Sequence, residues 1–234
     1  MPPPIYFRIV GHAATLAMHS INSAVMWTSM QDEVIMKDPQ IQVMVSMQGR
    51  FLTVWNIFFQ LVYFSLALTC DVLTVTNRDH LLPKSIKKIR DFFFSSIVFP
   101  GTLLVFTVFW PLYLYDRSLI FPEFIDKIFS QKSNYVMHIG IVPAVIWELA
   151  FQPRERPKSH KPYLTVIILY FIIYNSYLFY TYQQRGLWPY PLMGIVYGTV
   201  YNIILHAYIF LLTIGVYYMQ WFLHSLFWGL ENRK

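Results

Sequence analysis

The stretch RFLTVWNIFFQ, Arg50 to Gln60, opens an apolar run that continues to about Val72. Three of its side chains, Thr53, Asn56 and Gln60, are polar and are spaced three and four residues apart. In an α-helix these intervals bring side chains to one face. The stretch therefore predicts a long apolar helix with one polar stripe, and the stripe begins at a threonine.

The composition of the whole chain is that of an integral membrane protein. Of its 234 residues, 56% are hydrophobic and 13% are charged, whereas a soluble domain carries about 25% charged residues. The mean hydropathy is +0.43. The net charge of +6 comes from short basic clusters between apolar runs. This arrangement is typical of loops that meet lipid headgroups, so no nucleic-acid partner is expected.

Six segments qualify as membrane spans, each of which needs roughly 20 mostly apolar residues. The first is the weakest, because it contains Arg8, His12, His19 and Asn22. No loop is long enough to build a second core. We therefore predict one all-α domain, residues 1–234, that forms an integral membrane bundle of six transmembrane helices. The spans are expected at about 5–28, 51–72, 92–115, 135–151, 163–182 and 193–228.

Basic residues are distributed unequally over the two sides of this predicted topology. Twelve lie on the side of the termini, namely Arg8, Arg78, Lys84, Lys87, Lys88, Arg90, Arg154, Arg156, Lys158, Lys161, Arg233 and Lys234. Six lie on the opposite side, namely Lys37, Arg50, Arg117, Lys127, Lys132 and Arg185. The basic excess marks the cytosolic side. Both termini are therefore predicted to be cytosolic, in the endoplasmic reticulum or the plasma membrane.

One hydroxyl and one imidazole are expected at the same depth in the bundle. Thr53 lies about one turn into the second span and His138 about one turn into the fourth, and both spans enter from the non-cytosolic side. A neutral imidazole can remove the proton that makes a hydroxyl a poor nucleophile. The alternative for Thr53 is a hydrogen bond to the carbonyl of the preceding turn, which is common for threonines in membrane helices.

Other chemistries find less support in the sequence. It contains neither a G-x-S-x-G elbow nor an H-E-x-x-H metal helix, and no clustered Cys and His. No metal and no cofactor is therefore predicted. Two histidines seven residues apart, His12 and His19, leave open a haem-binding redox protein that also uses His206.

Five blocks carry a resemblance to a known family. They are RFLTVWN, RDFFFSSIVFP, VFWPLYLYDRSLIFP, NYVMHIGIVPAVIWE and WPYP, and they occur in order between Arg50 and Pro191. On these blocks the chain resembles the androgen-induced family, which includes the androgen-dependent tissue-factor-pathway-inhibitor-regulating proteins. The first 45 residues match that family weakly.

The resemblance implies a multi-span membrane hydrolase that cleaves fatty acid esters of hydroxy fatty acids. The family's nucleophilic threonine, in an FLT context, corresponds to Thr53, and its histidine, in an MH context, corresponds to His138. The implied partners are a branched lipid ester and the bilayer. The alternative is a lipid-binding or regulatory membrane protein without catalysis.

Three further residues are candidates for contacts with the substrate. Asn56, one turn from Thr53, is a candidate oxyanion donor, although a contact between helices explains it equally well. Arg117 is a candidate partner for the carboxylate of a branched ester, and Asp116 is a candidate to orient His138. The alternative for Asp116 and Arg117 is an ion pair at the membrane interface.

Overall fold

In the computed structural model, which describes residues 5–229, the chain folds into helices joined by short loops and turns. No strand occurs among the described residues, and the predicted all-α class is confirmed. The helices are α1 (Ile5–Ser29), α2 (Pro39–Ser46), α3 (Leu52–Val75), α4 (Ile86–Leu119), α5 (Gln131–Phe151), α6 (Lys161–Arg185), α7 (Pro191–Val196) and α8 (Val200–Trp228).

Five of the described helices, α3, α4, α5, α6 and α8, are long and apolar enough to cross a membrane. The chain is therefore a multi-pass membrane protein. Helix α4 begins at Ile86 and not near residue 92, because the amphipathic stretch Ile86–Phe93 continues the helix into the preceding loop. Both α4 and α5 contain a π-helical turn, at Phe94–Val98 and Val136–Gly140.

The segment expected as one span at 193–228 is instead divided into α7 and α8. Gly198, between them, has a φ of 78°, a left-handed conformation that costs other residues about 1–2 kcal/mol. Thr199 then caps α8, and its hydroxyl accepts a hydrogen bond from the amide of Tyr201 at 3.2 Å. The break was missed because the apolar character of the chain continues across it.

Helix α1 is as long as the spanning helices but does not belong to the set of five. Its buried side chains are all polar, namely His12, Thr15, His19 and Asn22. Six of its large apolar side chains point outward, namely Tyr6, Phe7, Val10, Ile21, Val25 and Trp27. This order is the reverse of that in a soluble protein, where the apolar side is the buried one.

A buried ionic cluster ties α1 to α3, α5 and the loop after α5. Glu148 of α5 is fully buried, and its carboxylate lies 2.6 Å from Arg154 Nη2 and 2.6 Å from His12 Nε2. Nearer the start of α1, Arg8 forms two hydrogen bonds to the carboxylate of Asp71, at 2.8 and 3.0 Å. Removing one partner of a buried pair typically costs about 3–5 kcal/mol. The cluster therefore holds α1 in a single register against the bundle.

Helix α2 and the segment 117–129 form a cap, as we call it here, that packs beside the start of α3. Its buried apolar residues pack against Phe109 of α4 and Met137 of α5, and they are Ile41, Met44, Phe121, Ile125, Ile128 and Phe129. At its surface, Lys127 Nζ donates a hydrogen bond to Asp38 at 2.8 Å, and this bond lowers the pKa of the Asp38 carboxyl. The cap thus covers the part of α3 that carries Thr53.

Candidate active site

Thr53 and His138, predicted to lie at the same depth, are in direct contact. Thr53 sits in the first turn of α3, which begins at Leu52. His138 sits in the π-helical turn of α5 and is buried. The Thr53 Oγ1 atom lies 3.1 Å from His138 Nε2. This is hydrogen-bond distance, the geometry required between a nucleophile and its base.

The opposite ring nitrogen of His138 faces two oxygen atoms of one residue. Its Nδ1 lies 2.7 Å from the side-chain oxygen of Asn134 and 3.1 Å from the Asn134 carbonyl. Because both atoms are acceptors, Nδ1 carries the proton and Nε2 presents its lone pair to Thr53. The Phe109 ring stacks on the imidazole with centroids 3.5 Å apart and planes 8° apart. The ring is therefore fixed in both tautomer and orientation.

Asn134 is a site residue that the sequence reasoning missed. It is 2% exposed and lies one turn before His138 in the same helix. The only signal was its position in NYVMH, four residues ahead of the histidine. That spacing places the two residues on one face of a helix. An amide there brings an acceptor to Nδ1 without adding a charge at membrane depth.

The start of α3 presents backbone donors next to the Thr53 hydroxyl. The Leu52 amide donates to the Tyr190 hydroxyl at 2.8 Å. That hydroxyl lies 2.9 Å from the hydroxyl of Tyr174, which donates to the Arg50 carbonyl at 3.0 Å. The Thr53 amide has no hydrogen-bond acceptor among the residues that the structure describes. An unpaired amide at a helix N-terminus favours negative charge.

The rest of the polar stripe on α3 joins a chain of side chains between helices. Asn56 Oδ1 accepts from the Thr102 hydroxyl at 3.0 Å, and Gln60 Nε2 donates to that hydroxyl at 2.8 Å. Gln60 Oε1 in turn lies 2.7 Å from His19 Nε2. Asn56 Nδ2 is buried without a hydrogen-bond partner in the described part of the chain. Gln60 therefore makes a contact between helices, whereas Asn56 keeps one donor unused.

Asp116 and Arg117 lie apart from His138. Asp116 is exposed and accepts hydrogen bonds from the amide and hydroxyl of Ser118, at 2.9 and 2.7 Å. Arg117 pairs with Asp126 at 2.7 Å and donates to the Phe121 carbonyl at 3.1 Å. The orienting role expected of Asp116 is thus filled by another residue, because Asp116 instead caps the turn Arg117–Leu119 at the end of α4.

Thr53 and His138 both line one elongated cavity. One part, the cap arm, is lined by Met44, Gln48, Phe121, Ile125 and Phe129. The other part, the inner arm, runs between α6 and α8. None of the described residues that line this cavity is Lys, Arg, Asp or Glu.

A second, polar cavity adjoins the cap arm. It is lined by Tyr113, Arg117, Asp126, Phe129, Gln131 and Asn134. Phe129 contributes to the walls of both cavities, and Asn134 separates the second cavity from His138. Thr53 and His138 therefore lie next to an apolar space and near a polar one whose wall includes a guanidinium group.

The three histidines of the haem hypothesis contact three different partners. His12 Nε2 contacts Glu148, and His19 Nε2 contacts Gln60. His206 stacks on Phe179 of α6 with centroids 5.8 Å apart and lines the inner arm. The structure thus gives His12 and His19 partners between helices and does not gather the three rings into one site.

Comparison with known proteins agrees with the resemblance read from the sequence. A family model described as FAR-17a/AIG1-like protein matches residues 12–230. The chain is 31% identical to the androgen-dependent TFPI-regulating protein of Mus musculus over 183 residues, 78% of each chain. It is 27% identical to the androgen-induced gene 1 protein of Homo sapiens over 150 residues, 62% of this chain and 63% of that protein. No solved structure matches the chain.

The hydrogen bonds of His138 predict which of its nitrogens carries the proton. Solid-state NMR of the protein with isotope-labelled histidine nitrogens should find His138 protonated at Nδ1, because two acceptors face that atom. The His138→Gln variant assigns the signal. Finding the proton on Nε2 would contradict the geometry, since Thr53 would then face a donor.

Proposed function

The chain belongs to the FAR-17a/AIG1-like family, and from this membership and the contact of Thr53 with His138 we propose that it is an intramembrane lipid esterase. It hydrolyses fatty acid esters of hydroxy fatty acids through an acyl-threonine intermediate. The observation that carries this proposal is the 3.1 Å approach of Thr53 Oγ1 to an imidazole nitrogen that is free to accept a proton.

In the first half-reaction Thr53 Oγ1 attacks the carbonyl carbon of the ester while His138 Nε2 takes the hydroxyl proton. The ester C–O bond then breaks, and the same proton passes from Nε2 to the departing alkoxide of the hydroxy fatty acid. The acyl group remains on Thr53. In the second half, Nε2 takes a proton from water while the water oxygen attacks the acyl carbon. The bond between that carbon and Thr53 Oγ1 then breaks, the fatty acid leaves, and the proton passes from Nε2 to Oγ1.

The negative charge of each tetrahedral intermediate needs donors that are in place beforehand. The free Thr53 amide at the start of α3 is one such donor, and the helix dipole favours an anion there. The buried amide nitrogen of Asn56, three residues further along the same helix and without a partner among the described residues, is the candidate for the second. Asn134 holds His138 throughout and supports the imidazolium by accepting from Nδ1.

The two adjoining cavities suit an ester whose two arms differ in polarity. None of the described residues that line the apolar cavity offers a charged group to a carboxylate. Arg117 lies in the polar cavity beyond Phe129, and its pair with Asp126 is half exposed. We assign the hydroxy fatty acid to the cap arm, with its carboxylate directed toward Arg117. A planar guanidinium is the group that binds a carboxylate best.

We also propose that α1 is a sixth span, so that both termini lie in the cytosol. Its outward side is apolar and its inward polar groups find partners in the bundle, which is what the bilayer demands of a spanning helix. An even number of spans puts the termini on one side, and the basic residues mark that side as cytosolic. The assignment to the endoplasmic reticulum or plasma membrane stays a prediction.

The topology is testable by thiol labelling in a Cys70→Ala background that carries an N-terminal epitope tag. A cysteine at Gln31 should react with an impermeant reagent from the non-cytosolic side, and one at Ser159 should react only from the cytosol. The tag should behave like the Ser159 site, because α1 separates it from Gln31. A tag exposed on the same side as the Gln31 site would remove α1 from the set of spans.

Catalysis is tested by Thr53→Ala and His138→Ala in membranes that contain equal amounts of protein. We expect Thr53→Ala to abolish hydrolysis of a branched fatty ester and His138→Ala to lower it by about 10²–10⁴-fold. A fluorophosphonate should label the native protein at Thr53.

The matched control for that experiment is Thr69→Ala, which removes an exposed hydroxyl from the same helix and should leave the rate unchanged. Full activity in Thr53→Ala would overturn the mechanism. Lipid binding without turnover in the native protein would favour the non-catalytic alternative.

The role of Arg117 is tested with two substrates, a branched ester with a free carboxylate and its methyl ester. Arg117→Leu should raise KM for the free acid by about tenfold or more, the usual loss for a hydrogen bond to a charged group, and should leave the methyl ester unaffected. Arg185→Leu, whose guanidinium binds Ser46, serves as control. If Arg117→Leu leaves the ratio of the two KM values unchanged, the carboxylate does not bind Arg117.

A further inference from the structure

The inner arm of the cavity follows two antiparallel helices over a defined length. On α6 its wall extends from Leu178 to Ile167, and on α8 from Leu205 to Thr213. Leu178 and Leu205 belong to the ends of these helices that lie nearer Thr53, because Tyr174 and Thr181 bond to Arg50 just before α3. The arm therefore runs from the catalytic pair toward the opposite side of the bundle.

The far end of the arm is closed by a packed cluster. Ile167, Tyr217 and Trp221 are buried together, with Tyr163, Leu164 and Ile214 against them. The Tyr217 hydroxyl lies 2.7 Å from His160 Nδ1, which ties the cluster to the start of α6. Tyr217 is completely buried. The cluster therefore fills the space beyond Ile167 and Thr213, and a chain bound in the arm ends at these two residues.

The length of the arm matches one lipid tail. Ile167 and Leu178 are eleven positions apart on α6, which corresponds to about 16 Å at the 1.5 Å rise of an α-helix. A bilayer has a hydrocarbon core of about 30 Å, so each leaflet's acyl chains span about half of that. The arm is thus about as long as the space that one acyl chain occupies in a leaflet.

We propose that the inner arm binds the acyl chain of the ester, and that Ile167 and Thr213 set the longest chain the enzyme accepts. This inference rests on the proposed function, since it concerns the group that is transferred to Thr53. The acyl chain is the arm of the substrate without a charge, and the inner arm has no Lys or Arg in its described lining. The hydroxy fatty acid is left for the cap arm, which adjoins the cavity of Arg117.

The deciding variant is Thr213→Phe, which places a ring at the closed end of the arm. Two series of esters are compared, one with a constant hydroxy fatty acid and acyl chains of increasing length, the other with the reverse. Thr213→Phe should lower the long-to-short rate ratio of the first series by about tenfold or more, since even one methylene in a hydrophobic pocket changes rates by about 10–200-fold. The second series should keep its native ratio.

The control is Leu211→Phe, which adds a ring on the outward side of the same helix, where Leu211 is 67% exposed. The long-to-short rate ratios of Leu211→Phe in both ester series should equal those of the native protein. The smaller change Thr213→Leu should give a shift of the same sign, and because each ratio is taken within one variant, loss of folded protein does not affect it.

The outcomes separate this inference from the function on which it rests. A native protein that hydrolyses no ester of either series overturns the proposed function. If hydrolysis depends on Thr53 but the long-to-short rate ratio of the first series is unchanged in both Thr213 variants, only the proposed length limit is overturned. A shift in the second series instead of the first would show that the inner arm holds the hydroxy fatty acid.

Discussion

A polar side chain at membrane depth has no water to bond, so its partner must lie inside the bundle, and this constraint organises the whole protein. Helix α1 obeys it most visibly, because every side chain that it buries is polar. Its contacts with Glu148, Asp71 and Gln60 take the place that apolar packing has in a soluble protein. The apolar residues are free to face outward because the polar ones carry the contacts between helices.

The same constraint accounts for the form of the candidate active site. A carboxylate behind His138 would bring a charge into a site whose wall includes Phe109 and an apolar cavity, whereas Asn134 provides the acceptor without that charge. The Thr53 amide has no acceptor in the described part of the chain, and it lies in the first turn of α3, where the amides of any helix lack partners within the helix. The site therefore combines an imidazole whose Nδ1 has an acceptor with a backbone amide that has none among the described residues. Acyl transfer requires a base of the first kind and a donor of the second kind.

Around this pair the structure separates apolar from polar space. The cavity that contains Thr53 and His138 has no charged residue in its described wall, and the cavity beyond Asn134 contains Arg117 and Asp126. In our proposal a branched ester uses both spaces, with its neutral tail between α6 and α8 and its acidic end near Arg117. Phe129 and Asn134 lie between the apolar cavity and the polar one.

The sequence by itself determined the all-α membrane class, and its spacing of spans led to the pairing of Thr53 with His138, because apolar length and loop parity set depth whatever the packing. It missed the break at Gly198, since an apolar run looks continuous across a single residue whose backbone turns left-handed. Only the tertiary structure decided that Asn134 and not Asp116 faces His138. That choice depends on the packing that brings Asn134 Oδ1 to 2.7 Å from His138 Nδ1, and on Ser118, whose amide and hydroxyl engage Asp116 elsewhere. Neither the direction of a side chain nor its competing partners can be read from periodicity, because both arise from contacts between segments far apart in the chain.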